Sequence, residues 1–502
     1  MTKPAPPGKA VREIVPGDSR WAELTHSDNH RFAIVPDRFV LPRKGHQVVA
    51  ALQDAVDDRL EVSCRSGGHC GEDFIGAPRR NLVLDLCGLN RIAATDDGQR
   101  IRVEPGATVG EVQKALFRDW GTALPLGACS AVGMGGLVAG GGYGPLSRQL
   151  GLVADHLAAV EIAVVDEGRK VRAVTARADD DGELGELFWA HTGGGGGNFG
   201  IVTAYEFRSP AHLRSGGRIL PKAAGGLNVQ KIIYPWAMLD EATFATLVGR
   251  FFAWHEEHDR AGTPEASLFA TFFLHHKSAQ FLQLMVQSDA DIDVGGAILA
   301  EFVAGLTEGT AVFGIPRGGL MTWLTGTRYM SQADCGDVMG ARSASKSAYH
   351  RSAPTGDQLA VLYRHLTSDH PGQASYVMVN SYGGEINRRG SAATASPQRD
   401  STAKSSWFTA WLDPAQDDLQ IGWLRAAYEE FFAATGGVPV SGAATDGCYI
   451  NYPDVDLKDA RHNRSTATWH DLYYGANYER LRRAKRAWDP HDVFHHSLSI
   501  EL

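Results

Sequence analysis

The residues able to do chemistry in this sequence sit beside glycine. RSGGHC, residues 65–70, sets His69 and Cys70 directly behind a strand-like segment, Glu61-Val62-Ser63. GACSAVGMGG, 127–136, carries a lone Cys129. A neutral imidazole nitrogen is a nucleophile, and a cysteine becomes one as its thiolate, which local positive potential favours. Tyrosines stand in similar segments: Tyr449 and Tyr452 in YINY (449–452), Tyr382 in SYGGEIN (381–387) and Tyr143 in GGGYG (140–144). A free tyrosine has a pKa of about 10. Ionising one at neutral pH takes about 4 kcal/mol of preferential stabilisation of the phenolate, from a nearby cation or from hydrogen-bond donors. No Ser-His-Asp set or carboxylate pair stands out. Taken alone, each residue also has a plainer assignment: His69 as a hydrogen-bonded loop histidine, Cys129 as a buried inert thiol, the tyrosines as packing at a domain junction.

The glycine loops narrow the chemistry. No G-x-x-x-x-G-K-[ST] is present, which argues against a P-loop nucleotide hydrolase. Gly195-x-Gly197-x-x-Gly200 matches a dinucleotide fingerprint, but IVTAYEF follows it, a strand pattern where a Rossmann unit requires a helix. Three Gly-rich segments remain, 66–71, 133–144 and 193–200. Glycines let backbone N–H groups approach anionic oxygens, so the three loops could wrap a pyrophosphate; tight turns are the alternative.

The elements that must position these loops follow from periodicity. HQVVAALQDAVDDRL (45–59) sets Val48, Val49, Leu52, Ala55 and Val56 on one helical face. Residues 62–64 and 82–86 read as short strands, and 156–166 as a buried strand entering a turn at Glu167-Gly168. Residues 108–120 read as a helix with a Thr108/Glu111 capping box and a stop at Gly121. After Ser209-Pro210, segments 231–239, 267–276, 281–289 and 374–384 alternate with helix-like stretches such as 241–256. This predicts an α+β domain with an antiparallel sheet. Residues 388–406 read as a loop, and 474–496 as a helix closed by Asp489-Pro490.

Composition bounds the rest. At 502 residues two or more domains are expected. A net charge of −9 argues against nucleic-acid or anionic-membrane binding. The long uncharged run Trp120–Ser147 is broken by nine glycines and two prolines and reads as buried loop, not a membrane span. Six cysteines (64, 70, 87, 129, 335, 448) form no CxxC pair, and His275-His276 and His495-His496 lack partners at metal-ligand spacing, so no metal is expected. MTKPAPPGKA has no signal-peptide pattern, giving a cytoplasmic expectation with reduced thiols. RLRRAKR (480–486) reads as the solvated face of the last helix.

Taken together and in order, RSGGHC (65–70), GACSAVGMGGLVAGGGYGPLSRQLGLVAD (127–155), GGGGGNFGIVT (193–203), CYINYPDVDL (448–457) and YYGANYERL (473–481) are far more specific. Over nearly the whole chain the sequence resembles the berberine-bridge-enzyme-like flavoprotein oxidases of the vanillyl-alcohol-oxidase (PCMH-type FAD) fold. Within that family it is most similar to bacterial oxidases of sugars and glycosylated natural products. The resemblance implies an α+β protein with a split FAD domain: residues 1–210, an inserted substrate domain at 211–440 with an antiparallel sheet covered by helices, and a C-terminal return at 441–502. It implies FAD bonded covalently to His69 through the flavin 8α-methyl and to Cys129 through flavin C6.

The same resemblance implies site roles. Backbone N–H groups of Ser66, Gly67, Gly68, Gly133, Gly135 and Gly136 are the pyrophosphate candidates. The loop Gly193–Gly197 (with Gly195, Gly196 and Gly197 foremost), Asn198 and Ile201 would hold the adenosine and ribityl portion. Arg65, Cys70, Gly142, Tyr143, Val202, Tyr449, Asn451, Tyr452 and Asn477 complete the expected cofactor-binding set, Cys70 as a spectator. Val132 takes the position where a small aliphatic residue accompanies use of O2. Tyr449 or Tyr452 would be the base, assisted by Tyr382 and Tyr143, with Glu385 and Asn387 at family positions for base-supporting side chains. Gln398 and the SLSI ending (497–500) depart from the family pattern.

The expected reaction is hydride transfer from an alcohol carbon to flavin N5, with O2 reoxidation to peroxide. The expected substrate is a sugar alcohol on an antibiotic, ahead of a free mono- or oligosaccharide and a cyclising oxidation. A flavin-binding protein without activity and a dehydrogenase passing electrons elsewhere are the competing classes. Aromatic strands 231–239 and 267–274 are expected to form the wall over the flavin.

Overall fold

The computed structural model describes residues 12–76, 80–331, 341–372 and 374–502. Cys335 and the segment MTKPAPPGKA, read above for reactivity and targeting, lie outside the described residues. Three sheets organise the chain. A four-stranded sheet contains β1 (Arg12–Ile14), β2 (Arg38–Leu41), β3 (Val62–Arg65) and β4 (Leu82–Asp85) in the order β1-β2-β4-β3, with β2 and β3 both parallel to β4. A five-stranded antiparallel sheet contains β5 (Ile92–Ala94), β6 (Ile101–Val103), β7 (Leu157–Val165), β8 (Val171–Arg177) and β9 (Ile201–Phe207), ordered β5-β6-β9-β7-β8.

The third sheet has seven antiparallel strands: β10 (Gly226–Pro235), β11 (Phe269–His275), β12 (Phe281–Asp289), β13 (Ile315–Thr322), β14 (Arg342–His350), β15 (Tyr376–Ser381) and β16 (Ala403–Trp411). Their order is β13-β10-β12-β11-β15-β16-β14. Its two faces follow from the period of two. Ala270, Phe272, Val377, Val379, Trp407 and Trp411 point to one side. There they form a core with the helices Glu241–Glu257, Ala297–Thr307, Gly356–Leu366 and Asp417–Phe431. Their neighbours Phe269, Tyr376, Met378, Asn380, Ser406, Phe408 and Ala410 point to the other side, into a cavity.

The period-3.6 reading of the first helix holds. Gly45–Asp57 buries Val48, Leu52, Ala55 and Val56, with Val49 partly buried beside them. The Thr108 cap has both halves of its box, and the helix Val109–Ala115 widens into a π-turn before Gly121. The tail differs. Its helix is Tyr478–Trp488, and residues 489–502 form an irregular strap. Asp489 ends the helix by accepting the Val493 and Phe494 N–H groups. Lys485 is not part of a solvated face. Its Nζ is buried and donates to Asp489 Oδ2 at 2.6 Å and to the Asn198 and Phe494 carbonyls at 3.0 and 2.6 Å. The segment 388–406 is irregular only up to β16, which begins at Ala403.

The chain leaves the five-stranded sheet after Phe207 and returns to its core late. Val438, Ile450, Leu472, Tyr474, Leu481 and Ile500 pack with Val160, Ile162 and Tyr205. A buried ion pair ties the irregular segment to the first half: Arg399 grips both Asp155 oxygens at 2.9 Å. Burial pushes the Asp155 carboxyl up, but Arg399 and Arg389 more than offset this and hold it below its usual value. A depressed carboxyl stabilises the fold above its unfolded pKa of about 4 and loses that contribution as pH falls through its folded value. Arg399→Met leaves this carboxylate to the half-exposed Arg389 at 3.2 Å and the Leu152 N–H, and urea unfolding at neutral pH should show a loss approaching the about 3–5 kcal/mol of a broken buried pair. That loss should shrink on acidification, as the carboxyl takes up its proton.

Candidate active site

The three glycine loops and the open face of the seven-stranded sheet enclose a cavity of about 650 Å³. Loops 65–71 and 127–136 meet at its floor. Ser66 Oγ donates to the Pro105 carbonyl at 2.5 Å and accepts from the Gly135 N–H at 3.3 Å. The fit allows no side chain at Gly133, where a Cβ would lie 2.1 Å from Ser66 Oγ and 2.4 Å from the Gly67 nitrogen. Gly68 and Gly136 also line the cavity, and a Cβ on either would meet no atom within 4 Å. The third loop is held from behind. Asn198 Nδ2 donates to the Gly194 and Gly195 carbonyls at 3.0 and 3.1 Å, and Tyr474 donates to Gly194 at 3.0 Å. The Gly135 and Gly195 N–H groups are engaged by the Pro105 and Ala139 carbonyls, so these two glycines shape the loops instead of donating to a ligand.

His69 and Cys129 line the same cavity, with Val132 between the loops and partly buried against the core. His69 Nδ1 lies 3.2 Å from Asp28 Oδ2. Burial pushes the imidazolium pKa down, and the Asp28 carboxylate outweighs that to leave it raised. Segment 28–31 is itself clamped. Asn29 donates to the Gly71 carbonyl at 2.9 Å and to the Ser343 carbonyl at 3.0 Å, so it bridges the His69 loop and β14.

At the other end stand the tyrosines. Tyr449 and Tyr452 line the cavity with ring centroids 5.2 Å apart. Tyr143 lines it too, but its hydroxyl donates to the Ser381 carbonyl. Lys404, the only charged residue of STAKSSWFTAWL (401–412), places Nζ 3.9 Å from the Tyr143 ring centre, 4.2 Å from Tyr449 and 4.7 Å from Tyr452. Nζ is fully buried with no hydrogen-bond partner among the described residues, and burial holds its pKa well below the usual lysine value.

The "FAD binding domain" family matches residues 36–173, and "Berberine and berberine like" matches 448–501. The chain is 43% identical to the aclacinomycin-N/aclacinomycin-A oxidase of Streptomyces galilaeus, over 96% of this chain and 88% of that one. It is 31% identical to the hexose oxidase of Chondrus crispus, over 87% and 84%. The solved structure of GilR with pregilvocarcin, an oxidoreductase of the terminal step of gilvocarcin biosynthesis, superposes with a TM-score of 0.97 at 69% identity, covering 98% of this chain and all of that one. The chain belongs to the berberine-bridge-enzyme-like FAD-linked oxidases. The loops fit that cofactor: the cavity is lined by all three glycine loops, and space is kept open at Gly68 and Gly136.

Within this flavoprotein frame several expected site residues stand elsewhere. Glu385 is paired with His212 at 2.6 Å and Arg388 at 2.8 Å, and Asn387 donates to Asp259 at 2.8 Å; neither lines the cavity. Tyr382 is buried behind Tyr143 and gives its proton to the Gln398 carbonyl at 3.0 Å. Gln398 itself bridges the Cys448 and Tyr473 carbonyls, a purely structural use of the residue that departs from the family pattern. Asn477 donates to the Ser391 and Thr394 carbonyls, Ile201 packs in the core beneath β3 and β4, and Gly142 abuts Val153. Of the two aromatic strands expected over the flavin, β10 sends Ile232 and Tyr234 into the helix-side core, and β11 gives the cavity only Phe269. The wall comes from alternate residues of β14, β15 and β16. Lys404 was the missed residue, and its signal is a lone charge in an otherwise uncharged strand. Among the described residues no cluster of His, Cys, Asp and Glu is arranged for a metal, and no helix is long and apolar enough to cross a membrane.

Proposed function

We propose that this flavoprotein oxidises a hydroxyl-bearing carbon of a bulky glycosylated aromatic natural product and uses O2 as electron acceptor. The observation that carries this is the buried Lys404 amine packed among Tyr143, Tyr449 and Tyr452 at the cavity. Bound FAD supplies the hydride acceptor. The protein's own task is to take the hydroxyl proton. A cation over the ring favours the phenolate, and the low proton affinity that burial imposes on Lys404 is restored once a phenolate stands beside it. As an ammonium over the ring faces, Lys404 would stabilise the phenolate without bonding to it. Tyr143 and Tyr382 commit their protons to carbonyls, so the base is assigned to the Tyr449–Tyr452 pair.

The substrate class is supported by the pregilvocarcin complex at 69% identity and by the sheet face. There Tyr376 and Phe408 stack with centroids 5.0 Å apart beside the small Ser343, Ser345, Ser406 and Ala410. An aromatic platform with room around it suits a planar aglycone better than a free monosaccharide. Peroxide release tests the activity, with aclacinomycin A and glucose as opposed probes. Peroxide from glucose but none from the anthracycline would overturn the substrate class.

His69 and Cys129 are proposed as the two covalent attachment points of the flavin. Acid-precipitated protein should keep its yellow colour and show the mass of one added flavin. Either single variant, His69→Ala or Cys129→Ala, should keep the flavin through the remaining bond, and the double variant should release it. Release from the parent protein would reject covalent attachment.

A further inference from the structure

Asn451 carries a geometry that distinguishes the two tyrosines. Its Nδ2 lies 3.1 Å from the Leu137 carbonyl and 2.9 Å from the Tyr449 phenol oxygen. A carbonyl can only accept, so the first contact fixes that atom as the amide nitrogen, and its second proton must point at Tyr449. The phenol oxygen is therefore an acceptor. Four buried tyrosines near it do the reverse: Tyr143 donates to Ser381, Tyr205 to Gly135, Tyr382 to Gln398 and Tyr474 to Gly194. Among the described residues no acceptor is bonded to the Tyr449 hydroxyl proton. The glycine loop is built around this amide, since a Cβ on Gly140 would lie 2.1 Å from Asn451 Oδ1.

We infer that Asn451 is a positioning residue that selects Tyr449 as the base, holding a donor on the phenol oxygen where negative charge develops and leaving that oxygen free to take the substrate hydroxyl proton. This rests on the reading that a tyrosine is the base. Burial raises the Tyr449 pKa to about 12, and the Asn451 amide and the Gly142 N–H both pull against that rise. A donor on a phenolate is a charge-assisted hydrogen bond, and its loss should move the Tyr449 ionisation up by about one pH unit or more.

The test follows Tyr449 ionisation in the flavin-loaded protein. Phenolate absorbance of the parent minus Tyr449→Phe is titrated first. Each Asn451 variant is then titrated against its own Tyr449→Phe partner. Asn451→Ala removes the donor, and Asn451→Asp keeps the volume while replacing the donor with an acceptor. Both should shift the titration to higher pH, Asp more than Ala. The acid limb of anaerobic flavin reduction by aclacinomycin A should move with them, cutting the neutral-pH rate about tenfold and recovering in alkali. A rate lost equally at every pH, with the titration unmoved in both variants, overturns the inference while leaving the tyrosine base standing. Full activity of Tyr449→Phe instead removes the base reading on which it rests.

Discussion

Tyr449→Phe should lower flavin reduction at neutral pH by about 10²–10⁴-fold, the usual loss when a positioned base is removed. The flavin content and melting temperature should stay near those of the parent. The reason for so large an effect is that nothing nearby replaces the oxygen. Tyr452 lines the cavity beside it, but the Asn451 amide is directed at Tyr449. The carboxylate of Glu385 is held by His212 and Arg388 outside the cavity. The ring's packing against Tyr349 and Tyr452 depends on shape and survives loss of the hydroxyl. Stopped-flow reduction under anaerobic conditions measures the step directly. A variant within threefold of the parent at all pH values would remove Tyr449 from the mechanism.

Lys404→Met should move stability and activity in opposite directions. Nζ is buried among three rings without a hydrogen-bond partner, and burying an unpaired amine is unfavourable. Methionine fills similar space at no such cost, so the variant should be more stable by about 1–3 kcal/mol at neutral pH. The sign with pH is fixed by linkage. The folded-state pKa of Lys404 is depressed, so between it and the usual lysine value of about 10.4 the unfolded chain binds the extra proton, and the parent gains stability as pH rises. The gap between the two proteins should therefore close towards pH 10. Turnover should fall about ten- to thirtyfold, because the phenolate loses the cation over its ring. Thermal melts across pH, with turnover on the same samples, check both halves. A variant less stable than the parent would show that Lys404 is paired after all.

The sequence was most legible where local order carried the meaning. His69 and Cys129 stand in two loops that meet too closely for a side chain at Gly67 or Gly133, and loops that tight leave a recognisable string. The helix Gly45–Asp57 and strand β12 are visible because one period runs through them uninterrupted. The cavity wall was not visible. Tyr376, Met378, Asn380, Ser406, Phe408 and Ala410 share a face only through the pairing of β15 with β16, and no local pattern reports which side of a sheet meets a cofactor. Aromatic density pointed to β10, yet Tyr234 and Ile232 serve the helix-side core. Glu385 and Asn387 were placed by motif position, and partners distant in sequence, His212 and Asp259, draw them away. Lys404 is not legible in the sequence because a lysine in a strand usually reaches water, and only tertiary packing closes this one in.

The alternation of β14, β15 and β16 has a consequence for how such an enzyme could diversify. Val377, Val379, Trp407 and Trp411 hold the helix layer, while the residues alternating with them face the cavity. Foldedness and substrate choice are thus written on alternate letters of the same strands. A lineage can exchange Ser343, Ser345, Ser406 or Ala410 for bulkier or more polar side chains one at a time, without disturbing the helix-side packing. New glycosides can then be admitted by small steps from a working catalyst, with the proton-handling group and the flavin loops left as they are.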